Sequence, residues 1–292
     1  MFKNLTLYRI DAAWKADFQA LEQALQAAPF HPCAATQAQS AGWVPPRGQA
    51  HGAMAESIGG QWLMKYHSAE KMLPAAVLEK RVQEKCEAIE REFGRTPGRK
   101  ERRDLKEEAR LDLLPQAFVK ERDTWVWIDP QARMLAIDTA TQSHADNVVT
   151  LLVEHLPSFP RLLNTAISPQ AAMAQWLLTQ EAPASFSIDQ ECELKAEDES
   201  KSVVRYANHP LDIEEVRQHI QAGKLPTKLA MTWDGRVSFV LDAALRLRKI
   251  ELLGMDETAE GHEDAFEADA VLATCDLTGA IADLIDALGG EA

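Results

Sequence analysis

The sequence has little of what usually announces a chemistry. Its four cysteines, Cys33, Cys86, Cys192 and Cys275, lie far apart with no C-x-x-C pair, which argues against both a zinc site and a disulfide framework. His31 and Cys33 form at most half a ligand set. No apolar run approaches the roughly eighteen residues of a membrane span, and MFKNLTLYRI at the start has no signal-peptide pattern, so the expected compartment is the cytoplasm, with no membrane partner. G-x-S-x-G, H-E-x-x-H and dinucleotide fingerprints are missing. Ala222-Gly223-Lys224-Leu225 fails as a phosphate loop because Leu follows the lysine and the upstream glycine is lacking. No zinc finger or helix-turn-helix is legible. The expectation is a protein that is not an enzyme, with no catalytic residue, resident metal or cofactor.

Positive charge is also scarce, yet it is unevenly spread. Against 45 acidic residues there are 31 Lys and Arg, a net charge of −14. Glu251 to Ala292 holds twelve Asp or Glu and no Lys or Arg, so the first 250 residues sum to only −2. Within them, Lys201 to Ile250 has nine basic and five acidic residues. Such polarity leaves room for an anionic partner that the total would exclude.

What is present reads as α+β: antiparallel sheets with packed helices and a projecting helical hairpin. Alternation in FKNLTLYRI marks a strand, and Asp11 is placed to cap a helix through about Ala28. Strands are expected around His51–Glu56 and Gln61–His67, joined at Gly59-Gly60, and again over Phe118–Ile128 and Arg133–Asp138. A helix from Ser143 to about Leu156, with Ser143 and Asp146 at its start, suggests a capping arrangement. Further on, the pattern gives a helix over Pro169–Gln180, strands at Phe186–Lys195 and Ser202–Tyr206, and a helix over Asp212–Gln221. A hairpin follows, Lys228–Trp233 and Arg236–Leu241 about Asp234-Gly235, then Leu245–Leu252, a strand over Phe266–Thr274 and a helix over Leu277–Leu288. Between Lys71 and Pro115, two charged helical runs flank the turn Arg95-Thr96-Pro97-Gly98. Val77, Leu78, Val82, Cys86 and Ile89 form a narrow stripe suited to one partner helix. The domain division is therefore 1–70 with 116–165 as a central body, 71–115 as an arm, and 166–292 as a C-terminal α+β region.

Basic residues gather at the arm's turn, at Arg95, Arg99, Lys100, Arg102, Arg103 and Lys106, where they can reach a phosphate backbone or simply lace a solvated helix with ion pairs. Arg205, Lys224 and Lys228 are dispersed in the manner of backbone binding without base readout. If Lys224–Leu229 is extended, Lys224 and Lys228 point the same way and Leu225, Thr227 and Leu229 face the core. The carboxylates Glu263, Asp264, Glu267 and Asp269 form either a solvated acidic surface or a divalent-ion site, and the latter would suit a metal-dependent nuclease.

Stretches from end to end resemble one family: FKNLTLYRI at Phe2, FHPC at Phe30, GWVPP at Gly42, KMLP at Lys71, LLPQAF at Leu113, WID at Trp127, HIQAGK at His219, TKLAMTW at Thr227, FEAD at Phe266 and DALGGEA at Asp286. Together they are similar to the recombination-associated RdgC family of bacteria. The resemblance implies a curved protomer that closes into a ring-shaped homodimer around duplex DNA without sequence preference. It further implies association with the nucleoid, a part in DNA recombination and replication, and a limit on filaments of a recombinase of the RecA class, itself a candidate partner. The family's phenylalanine in the LLP-x-A-F motif matches Phe118, placing it at a dimer contact, although a core position on its strand is the alternative. Its A-G-K lysine matches Lys224. Where some members carry a lysine, this chain has Asn208 and His209, and His209 carries little charge at neutral pH.

Overall fold

A computed structural model describes residues 1–49, 51–156, 160–199, 201–254 and 263–292. Its first strand, β1 (Asn4–Arg9), buries Leu5 and Leu7 on one face and Thr6 and Tyr8 on the other, the pattern of a strand covered on both sides. It lies mid-sheet. One edge pairs with β6 (Met134–Ile137), and the other is divided between β12 (Leu247–Leu252) and β7 (Arg161–Leu162).

The remaining strands are β2 (Gln39–Val44), β3 (Ala55–Ile58), β4 (Gln61–Met72), β5 (Phe118–Asp129), β8 (Phe186–Ala196), β9 (Val203–Tyr206), β10 (Lys224–Trp233) and β11 (Val237–Asp242). All join one 12-stranded antiparallel sheet in the order β2-β4-β5-β6-β1-β12-β11-β10-β8-β9, with β3 on β4 and β7 on β1. The Asp234-Gly235 and Gly59-Gly60 turns both have positive φ, as tight hairpins require.

Two layers of helix cover the sheet unequally. Helices α1 (Phe18–Ala27) and α4 (Gln142–His155) set Leu21, Leu25, Val148 and Leu152 against Trp43, Met64, Val126, Ile128, Leu135 and Ile137. The opposite face is packed by α5 (Pro169–Thr179), α6 (Glu214–Gln221) and α7 (Glu263–Ala287). Their core runs from Leu5, Leu63 and Trp127 across the seam to Leu229, Met231, Phe239 and Leu247. Ala230, Val240 and Arg248 lie on the reverse face of the C-terminal strands, and none of them belongs to a hydrophobic cluster. That reverse face is where charge collects.

Helices α2 (Ala75–Phe93) and α3 (Arg99–Leu113) pack on each other through Val82, Cys86 and Ala109, a cluster separate from the two larger ones. Lys85 reaches Glu108 and Asp112, and Lys106 reaches Glu79. Gly94, left-handed at φ 66°, ends α2 and donates its amide to the Glu90 carbonyl.

Several expectations are corrected. Asp11 makes only a short turn to the Ala13 amide; Asp17 is the cap of α1, accepting from the Gln19 and Ala20 amides. Ser143 does not cap α4, which follows Thr141 without a side-chain cap, while Asp146 accepts from the Gln142 side chain. The strand expected at His51–Glu56 is Ala55–Ile58. Phe266–Thr274 is not a strand but the first half of α7. Its buried Ala270, Ala273, Leu277, Ala280, Ile281 and Leu284 recur at helical spacing, which the short apolar alternation had masked. Among the described residues no helix is long and apolar enough to cross a membrane.

Candidate nucleic-acid interface

Register alone assembles the charged row on the uncovered face. Glu193 of β8 lies opposite Arg205 of β9 on one side and Lys228 of β10 on the other. Lys228 in turn lies opposite Asp242 of β11, and Arg248 of β12 lies opposite both Val240 and Asn4. Cation and anion thus alternate across the strands. Glu193 Oε2 accepts from Arg205 Nε at 2.7 Å and Lys228 Nζ at 3.0 Å, while Oε1 accepts from Thr227 Oγ1 at 2.7 Å. Burial alone would raise the Glu193 carboxyl, but hydrogen bonds from Thr227, Arg205 and Lys228 outweigh it and pull the pKa down to about 2.

Asp242 is buried, accepts from the Ala244 and Arg246 amides, and receives Arg246 Nε at 2.9 Å and Arg248 Nε at 2.7 Å. Both arginines also donate to the Ala140 carbonyl, so this cluster fastens the loop after β6 to the C-terminal strands. A cavity of about 330 Å³ opens between these side chains, lined by Asn4, Glu191, Arg205, Lys228, Arg248 and Lys249 among others. Arg248 and Lys249 were not singled out from the sequence. For Arg248 the signal lies in the run LRLRKIEL, where Arg246 and Arg248 alternate with leucines as on a one-sided strand; Lys249 breaks that alternation, at φ 51° opposite a register shift in β11.

Lys224 and Lys228 do not face the same way. Thr227 is an extra residue in β10: Pro226 pairs with Leu194 and Lys228 with Glu193, so the alternation slips by one between the lysines. Lys224 consequently lies opposite Ala196, on the helix-covered side, with Nζ 3.0 Å from His219 Nδ1 of α6. Leu225 and Thr227 are half-buried; Pro226 and Leu229 are the buried positions. Proline, without an N–H to give the ladder, is the residue that a bulge tolerates.

The other expected residues fall in three places. Asn208, at φ 52°, and His209 form the exposed turn after β9, with the His209 ring 5.8 Å from that of Tyr206 and its amide bonded to the Gln190 carbonyl. Arg99, Lys100, Arg102 and Arg103 are exposed on the first turns of α3 and, among the described residues, make no ion pair, whereas Arg95 is held by both oxygens of Glu101. Phe118 begins β5 opposite Met72 and is 83% exposed, which disposes of a core role. Of the four C-terminal carboxylates, Glu267 is bonded to Arg47, and the side chains of Glu263 and Asp264 lie outside the described part. Among the described residues no three His, Cys, Asp or Glu side chains converge as a metal site.

A family model described as "Putative exonuclease, RdgC" matches residues 1–291. The chain belongs to the RdgC family. It is 40% identical over 299 residues to the recombination-associated protein RdgC of Dechloromonas aromatica (strain RCB), covering 99% of this chain and 98% of that protein. Proteins of the same name from Cupriavidus pinatubonensis and Herminiimonas arsenicoxydans are 42% and 40% identical over 296 residues, again with 99% of this chain and 98% of theirs covered. Membership associates the chain with DNA recombination.

Proposed function

We propose that the chain is a non-catalytic, sequence-independent binder of duplex DNA that encircles it as a ring-shaped homodimer, is associated with the nucleoid, and limits filaments of a RecA-class recombinase. The observation that carries this reading is the helix-free face of β8 to β12, where Arg205, Lys228, Arg248 and Lys249 line one cavity without any element built to read base edges. The α2–α3 pair is read as a projecting hairpin. Arg99, Lys100, Arg102 and Arg103, which make no ion pair among the described residues, crowd the start of α3, where cations oppose the helix dipole, a placement that favours an external anion. Phe118, Met72 and Val119 supply an exposed apolar end for self-association.

A second reading, a metal-dependent nuclease using the C-terminal carboxylates, draws on the word exonuclease in the family description. Incubation with plasmid and magnesium separates the two: retarded, intact DNA is expected, and nicked or shortened DNA would establish the second. Random duplexes of equal length should compete equally, and affinity should fall as salt rises. A single sequence bound a thousandfold more tightly would overturn the proposal.

A further inference from the structure

We infer that Glu193 is a built-in competitor for phosphate on this face, holding affinity for DNA below what the cations there would otherwise give and so keeping the complex exchangeable; the inference rests on the DNA-binding reading above. Arg and Lys donors converging on one oxygen are the charge-assisted hydrogen bonds that a phosphate oxygen attracts, and Glu193 Oε2 already accepts them from Arg205 and Lys228. The same pairing recurs alongside, where Lys249 Nζ stands 2.8 Å from both oxygens of Glu191.

Glu193 differs from Asp242 in what holds it. Asp242 accepts backbone amides as well as two guanidinium groups and is part of the seam between the halves of the sheet. Among the described residues, the Glu193 carboxylate is bonded by side chains alone, Thr227, Arg205 and Lys228, and the Arg205 side chain is 73% exposed with its terminal nitrogens unpartnered. A ligand can draw those cations away without dismantling the sheet. A purely bracing role, in which Glu193 orients Arg205 for phosphate, predicts the opposite sign on neutralisation.

The test is Glu193→Gln in the full-length protein, with Glu154→Gln on α4 as a control for net charge and circular dichroism as a check of folding. Binding of a random-sequence duplex is measured by fluorescence anisotropy across a salt series. Glu193→Gln should bind about fivefold more tightly at low salt, the effect of removing one unit charge at contact distance in water. Its log–log salt slope should steepen by about one as a further phosphate is neutralised. Glu191→Gln, which releases Lys249, should shift affinity in the same direction, and Glu154→Gln should match the wild type. Unchanged or weaker binding by folded Glu193→Gln, beside a wild type that binds, overturns the inference alone. A wild type that binds no duplex removes the DNA-binding reading and the inference with it.

Discussion

At the scale of single residues, the two sides of β10 make opposed predictions for two lysines four apart in sequence. Lys228 shares the open face with Arg205, whereas Lys224 is turned toward His219 on α6. Lys228→Glu should therefore weaken binding to every duplex by a similar factor and flatten the salt slope, and Lys224→Glu should do so less. Equal losses in two well-folded variants would show that the bulge does not separate their roles. The sequence made the lysines visible, but their sides depended on one inserted residue, Thr227, and the only mark of it was Pro226 in an otherwise regular strand. A different residue sets a pH limit. Burial first, and the nearby Arg122 charge second, lower the His144 pKa to about 4, and its Nε2 lies 2.8 Å from Thr124 Oγ1. The unfolded chain, with an ordinary histidine near 6.5, binds this proton more readily. Stability from neutral His144 is thus fully present above about pH 6.5 and lost as pH falls toward 4. Chemical denaturation at a series of pH values should show a shallower loss across that window in His144→Gln; identical slopes would exclude His144 as the cause.

Elements were legible where one period dominated. The alternation of β1 led to a strand, although one buried on both faces, and the stripe of α2 led to its packing on α3 through Leu78, Val82 and Cys86, with Val77 left exposed. The start of α7 was not legible in this way: FEADAVLAT alternates briefly like a strand, and the helical period emerges only over the longer run from Ala270 to Leu284. Phe266 stacks on Trp125 with ring centroids 5.8 Å apart, Arg47 lies over the other ring at 5.1 Å, and Lys65 lies over Trp125 at 4.5 Å. Arg47 also bonds Glu56 and Glu267, so one guanidinium ties β3 to α7. Phe266→Ala should cost about 2 kcal/mol, combining lost burial with the aromatic contact. Amide exchange should quicken in the first turns of α7 and stay slow near Gly279, where the Trp233 ring packs so closely that an added Cβ would meet it at 2.8 Å. Uniform quickening along α7 would mean that the helix opens as one unit and that this latch is not local.

At the scale of the whole molecule, the longest-range choice is the pairing of β1 with β12, Asn4 opposite Arg248 and Leu5 opposite Leu247, which makes a continuous sheet out of residues at opposite ends of the chain. No local pattern announces a partner more than 240 positions away; the β1 burial on both faces says only that some strand must lie on each edge. Assembly poses the same problem one level higher. Phe118, Met72 and Val119, exposed by 83%, 52% and 46%, end the β4–β5 ribbon with an apolar surface that no part of the described chain covers. In a two-fold closed ring each contact is self-complementary, so Phe118 would meet the same surface of a second copy, and a central aromatic of this kind carries much of a contact's energy. Phe118→Arg should leave the protomer within about 0.5 kcal/mol of its original stability, because the side chain buries little there. If this is one of two independent contacts, light scattering should still give the mass of a dimer, while sedimentation should slow as the ring opens and retention on closed circular DNA through a high-salt wash should be lost. A fall to monomer mass would mean a single interface and no ring. Unchanged sedimentation and unchanged retention would remove Phe118 from any contact between copies.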